Sequence, residues 1–199
     1  MDLKERIIQT ALVSFGKYGV KSITMDDIAS SLGISKRTLY ETFKDKESIL
    51  MECYMYKKKL RNDYAIEVME ESDNVLDVIL KVQKRELEDL LKVNQRFFDD
   101  LFKYYPRLEL TVREDQEEHQ KEATAFFKKG VGQGIFRKDV DFDIISMLMV
   151  EQMNWLMHSQ VKEQFPFVKV FRAILYTYMR GISTPKGQEI LEEFIRTNK

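Results

Sequence analysis

The chain has 199 residues, 44% apolar and 33% charged, with three Pro, eight Gly and one Cys, a balance that suits a soluble, helix-rich protein with its own core rather than a disordered or β-rich one. A formal charge of −1 announces no global attraction to nucleic acid, so any such partner has to be met by a local patch. Cys53 alone permits no intramolecular disulfide, and the two His with one Cys poorly supply a metal site or Cys-His catalysis.

The amino terminus, MDLKERIIQT, lacks the apolar core of a signal peptide, and no run approaches the roughly 18 apolar residues of a membrane span, so a cytoplasmic setting is expected. Asp2 and Glu5 predict the cap and N3 partner of a first helix with the stripe Ile7, Ile8, Ala11, Leu12 and Phe15, closed by Gly19. Thr24 caps a second helix carrying Met25, Ile28, Ala29 and Leu32, with Asp26 and Asp27 in its first turn. Gly33 supplies a turn, Ile34 an anchor, and Ser35 the cap of a short third helix ending near Phe43. Asp45 caps a fourth, running to about Glu70.

Further helices are expected at about 73–92, 95–105, 107–129, 141–160, 166–182 and 185–196, punctuated by Asn94, Pro106, the Gly130–Gly134 stretch, Pro166 and Thr184-Pro185. No strand pattern appears. The expected fold is all-α, with an amino-terminal helix-turn-helix domain over 1–48 and a larger helical domain over 49–199, joined along the fourth helix without a flexible break.

Two short helices about a glycine turn form a helix-turn-helix, whose second helix enters the major groove. Nine helical residues span ~14 Å, close to the roughly 12 Å width of that groove. With Leu39 and Phe43 turned inward, Lys36, Arg37 and Thr38 project from the exposed start of this helix and suit base edges. Thr24, Ser35, Tyr40 and Lys46 suit phosphates. A solvated turn explains the same charges: residues 1–50 hold eight Lys/Arg against seven Asp/Glu, a balance of +1. The order of caps, turn glycine and buried positions favours DNA.

Those residues carry a resemblance. Residues 3–50 resemble the DNA-binding domain of TetR-family transcriptional regulators, through T-M-D-D-I-A at 24–29, L-G-I-S at 32–35, T-L-Y-E-T-F at 38–43 and K-D-K-E-S-I-L at 44–50. A second, weaker match is G-V-G-Q-G-I-F-R-K-D-V-D at 130–141. The resemblance implies an all-α homodimer that binds double-stranded operator DNA and a larger domain whose small-molecule ligand loosens that binding. It gives phosphate roles to Thr24, Tyr40 and Lys46, and base-reading roles to Lys36, Arg37 and Thr38. Arg37 stands where a small residue is frequent and Thr42 where many members have His or Tyr; both face DNA, so no relative's operator can be borrowed.

In the larger domain, FDIISMLMVEQMNWLM at 142–157 is apolar around much of the wheel, and 167–182 carries two apolar stripes. Helices buried on more than one side suit a core and a partner subunit, and Ile145, Met149, Phe171, Ile174 and Tyr178 are the expected dimer residues. A thickly covered monomer core is the alternative. For a ligand, Phe98, Phe102 and Tyr105 crowd one helix; Val112, Gln116, His119, Ala123 and Phe127 share a face of the next, and Met153 lies on the third. A snorkelling or satisfied His and Gln at a helix border explains Gln116 and His119 somewhat better. Met147, Glu151, Asn154 and His158 read as a solvated stripe, and Trp155 and Cys53 as packing residues.

The reading is a ligand-responsive transcriptional regulator, a repressor in form, with neither cofactor nor metal and no catalytic residues. A small helical enzyme built on His119 and a helical interaction scaffold are its rivals.

Overall fold

The computed structural model describes residues 1–198, apart from the side chains of Phe102, Glu117 and Lys162. Among the described residues the helices are α1 (Leu3–Tyr18), α2 (Met25–Leu32), α3 (Lys36–Thr42), α4 (Lys46–Glu71), α5 (Val75–Leu90), α6 (Gln95–Tyr104), α7 (Pro106–Gly132), α8 (Phe142–His158), α9 (Val161–Gln164), α10 (Phe167–Ile182) and α11 (Pro185–Thr197). The only pairing outside them in that set is an isolated bridge between Phe136 and Ser183. The chain is all-α.

The expected caps account for most of the boundaries. Asp2 accepts from the Glu5 amide, Asn94 from the Arg96 amide, and Thr184 from the Gly187 amide with Pro185 at N1. Asp45 accepts from the Ser48 amide at 2.8 Å and opens α4. Two differences have physical reasons. The single-turn α9 is too short to show a hydrophobic period. Gly130, expected to help end α7, lies in its last turn, where a Cβ would sit 2.3 Å from the Phe136 ring and 2.6 Å from Val75. Its bareness is for packing.

Two compact units divide the chain: Met1–Tyr64 with Glu88–Arg113, and Ala65–Leu87 with Glu114–Lys199. In the first, Ile7, Ala11, Phe15, Val20, Ile28, Leu39 and Ile49 are wholly buried. Each of these side chains larger than Ala11 contributes about 1.5–3 kcal/mol, which is how two helices as short as α2 and α3 stay fixed. Cys53 belongs to the same core, its thiol pushed up to about 12 by burial, and is a packing residue. In the second unit Leu76, Leu156, Met179 and Leu191 are wholly buried, and Phe127 packs between Phe136 and Phe142 with ring centroids 5.5 and 5.4 Å away. Among the described residues no helix is long and apolar enough to cross a membrane.

Candidate nucleic-acid interface

The interface is built from caps outward. Thr24 closes a reciprocal box at the start of α2: its Oγ1 accepts from the Asp27 amide, while Asp27 accepts from the Thr24 amide at 2.8 Å and from its hydroxyl at 2.6 Å. Those bonds from Thr24 hold the Asp27 carboxyl below the usual carboxylate range. Gly33, at φ 66°, ends α2 in the left-handed region. Ser35 then caps α3, accepting from the Thr38 amide at 3.0 Å and sharing a hydrogen bond with the Thr38 hydroxyl at 2.8 Å.

Leu39 and Phe43 turn one face of α3 into the core at 0% and 4% exposure, beside Ile28. Of the expected readers, Thr38 is half-buried beside Leu39. Lys36 and Arg37 are exposed at the first turn, where the helix dipole disfavours cations. Each has a local carboxylate instead: Lys36 Nζ lies 2.8 Å from Asp26, and Arg37 Nε donates to Glu41 at 2.9 Å. The Asp26 bond raises the Lys36 pKa above its ordinary value. Tyr40 is exposed one turn on, its ring 6.0 Å from the Lys36 ammonium. Thr42 is half-buried and bonds back to the Thr38 carbonyl at 3.1 Å.

Lys46 stands apart from the other expected contacts. Its ammonium donates to the carbonyls of Val20 at 2.8 Å and Ile23 at 2.7 Å, with Lys21 O at 3.5 Å. Burial draws its pKa down while Asp100 and Asp27 push it up. The phosphate role rested on sequence position, which says nothing of three carbonyls brought close by the fold.

The residues expected to line one ligand site fall in both units. Phe98 and Tyr105 belong to the first, where Tyr105 packs on the core; the Phe102 side chain lies outside the described residues. Gln116, His119, Phe127 and Met153 belong to the second. There Phe127 is 5% exposed within the aromatic cluster, so it is a core residue and has no free surface for a ligand. Gln116 Nε2 reaches Asn154 Oδ1 at 3.4 Å, His119 is half-buried on the same helix, and Met153 packs partly buried against the core. Asn154, read from sequence as part of a solvated stripe, is thus a polar neighbour of Gln116; nothing in the spacing of α8 alone points to a partner 38 residues away.

The expected dimer residues also shift. Phe171 is 3% exposed and fully used by its own core. Ile145, Met149, Ile174 and Tyr178 are half-buried against that core. The outward apolar side chains of α8 are Ile144, Met147, Leu148 and Trp155, the last 54% exposed rather than packed. On α10 the exposed line is Lys169, Ala173, Thr177 and Gly181. A helix apolar on all sides gives no phase from which to pick the covered one.

Residues 7–53 match the family model of "Bacterial regulatory proteins, tetR family". The chain is 45% identical over 53 residues to the uncharacterized HTH-type transcriptional regulator YerO of Bacillus subtilis, a match covering 27% of this chain and 18% of that one. It is 31% identical over 77 residues to IcaR of Staphylococcus aureus, described as a negative transcriptional regulator of the biofilm operon icaADBC, covering 34% of this chain and 41% of that one. Matches therefore span about a fifth to two fifths of these relatives' lengths. Across the whole chain, the fold matches the crystal structure of a TetR-family transcriptional regulator from Marinobacter aquaeolei, with TM-score 0.75, 21% identity and 98% of each chain covered.

Proposed function

We propose that this chain, a TetR-family protein by its amino-terminal domain, is a sequence-specific DNA-binding transcriptional regulator. It acts as a cytoplasmic homodimer and as a repressor released from its operator by a small, largely hydrophobic effector. The observation that carries the reading is the first turn of α3, where exposed Lys36 and Arg37 stand beside half-buried Thr38 on a helix pinned by Leu39 and Phe43. Lys36 and Arg37 donate to guanine O6 and N7, and Thr38 meets an acceptor or a thymine methyl. Thr24, Ser35 and Tyr40 hold phosphates beside them, with Thr42 toward the same groove.

The Lys36–Asp26 and Arg37–Glu41 pairs do not oppose this. Both are exposed, and such pairs contribute at most about 1 kcal/mol, less than a good base contact gives. They hold two flexible cations near the positions where DNA takes them over. The negative sign of regulation is supported by IcaR, and a regulator is favoured over an enzyme by the roles of the relatives named above. For the effector, Gln116, His119 and Asn154 offer half-buried polar groups in a largely apolar setting, with Met153 beside them. The effector favours one arrangement of the protein over another and loosens DNA only by its differential affinity for the two, typically about 1–3 kcal/mol.

Selection of bound sequences from a random DNA pool tests the reading. The selected operator should show two related half-sites, and Arg37→Ala should lose about 1–3 kcal/mol and relax preference at one position in each. Unchanged affinity and preference in Arg37→Ala would remove the base-reading assignment. No selection at moderate salt would remove DNA binding and leave an interaction scaffold.

A further inference from the structure

The geometry points to Lys46 as a positioning residue for DNA binding: its ammonium clamps the turn between α1 and α2, sets where Thr24 and α2 stand, and meets no phosphate. This inference rests on the DNA-binding reading above.

An ammonium has three N–H donors and no acceptor. Lys46 aims them at Val20 O, Ile23 O and Lys21 O, with the first and last-named bonds 2.8 and 3.5 Å long and that to Ile23 2.7 Å. Val20 itself is wholly buried. Val20 O also accepts from the Ile23 amide at 3.4 Å and Lys21 is exposed, so the half-buried Ile23 carbonyl is the one that depends most on the ammonium. The same turn is tied from a second side, where the Lys21 amide donates to Asp100 Oδ2 of α6 at 2.7 Å. The approach is close: Gly19 has φ 85°, and a Cβ on it would lie 2.9 Å from that carboxylate oxygen and 3.1 Å from Arg96 Cβ. The residue after Ile23 is Thr24, whose amide and hydroxyl make the cap of α2. A shift of the Ile23 carbonyl is therefore a shift of the first turn of the helix that braces α3.

Comparison with the exposed cations decides between clamp and phosphate ligand. Lys36 and Arg37 have side chains 60% and 88% exposed and exchange one exposed carboxylate for another anion. To reach a phosphate, Lys46 would abandon carbonyls that no other described side chain serves, for one contact in water. The exchange runs uphill.

The experiment measures operator affinity against salt for wild type, Lys46→Met and Lys46→Arg, well below their melting temperatures, with thermal melts of each. Both variants should bind at least about tenfold more weakly at an unchanged slope of log K against log salt, because no phosphate contact is lost. Arg should not rescue, since its planar fork does not fit where a compact ammonium meets three converging carbonyls. A slope reduced by about 0.9 with rescue by Arg would identify a phosphate contact and overturn the proposal. Reduced melting temperature with unchanged affinity would overturn it too, leaving Lys46 merely structural.

If either variant does not fold, 15N spectroscopy of the wild-type lysine ammonium groups gives the answer. The Lys46 signal should be protected from exchange in the DNA-free protein and unchanged on adding operator. Protection that appears only with DNA would overturn the clamp. If the wild type selects no DNA at all, the DNA-binding reading fails separately, and the DNA-free signal still judges the clamp.

Discussion

Thr24 and Asp27 form the tightest local unit of the interface, and their chemistry makes it pH-dependent. Asp27 accepts two bonds from Thr24, at 2.8 and 2.6 Å, and accepts them more strongly as a carboxylate than as the neutral acid. Its folded pKa is depressed by those bonds, so its contribution is complete above the ordinary aspartate value of about 3.9. It is lost as pH falls from there through the lower folded value. Urea melts from pH 7 downward should show stability falling in that acid window, and Asp27→Asn should be less stable at neutral pH with a flatter acid limb. An unaltered acid limb in Asp27→Asn would show that the box does not govern it. Such a box is legible in sequence because donor and acceptor are three residues apart. What Lys46 touches is not, because its carbonyls lie 23 to 26 positions away.

At the scale of elements, helix existence followed from caps and periodicity, whereas facing did not. The α1, α2 and α3 stripes each have one dominant apolar side, and Ile7, Ile28 and Leu39 went to the core as their spacing requires. In α8 every side carries apolar residues, so Ile145 and Met149 could not be told from Ile144 and Leu148 until the core was seen. The burial of Phe127 was hidden for a related reason: it shares a helical face with Gln116, but the aromatic neighbours that bury it come from residues 136 and 142. Gly130 is the sharpest case. Sequence marks it as a stop, yet it lies in the last turn of α7, where Phe136 and Val75 occupy the space a Cβ would take. Gly130→Ala would gain a few tenths to about 1 kcal/mol in helix propensity and lose about 1–3 kcal/mol to overpacking. The variant should therefore melt at lower temperature. A rise in melting temperature would mean that the Phe136 ring moves aside freely.

At the scale of the whole molecule, two-fold operators favour two-fold readers whose recognition helices enter successive major grooves about 34–36 Å apart. In the proposed homodimer tight binding would depend on the pairing of two copies, and the exposed apolar side chains of α8 are the surface we propose for it. Ile144, Met147, Leu148 and Trp155 of α8 are each at least 40% exposed, apolar side chains that a second copy would take out of water, with the exposed Glu151 and Gln152 between Leu148 and Trp155. Ala173, Thr177 and Gly181 make a line of small side chains on α10 where a second helix can approach closely. Leu148→Glu should give a folded monomer, with unchanged circular dichroism, halved mass in sedimentation, and operator affinity lost together with the dimer. Phe171→Glu should instead unfold the chain, since that side chain is 3% exposed in its own core and an unpaired buried carboxylate is strongly destabilising. Trp155 is the chain's one tryptophan, so the wild type carries its own reporter: dilution through the dissociation range should shift its emission to the red as the indole meets water, and Leu148→Glu should show the red-shifted emission at every concentration. A wild type that sediments as a monomer at micromolar concentration, with concentration-independent Trp155 emission, would leave α8 uncovered by a second copy and remove the dimer on which two-half-site recognition depends.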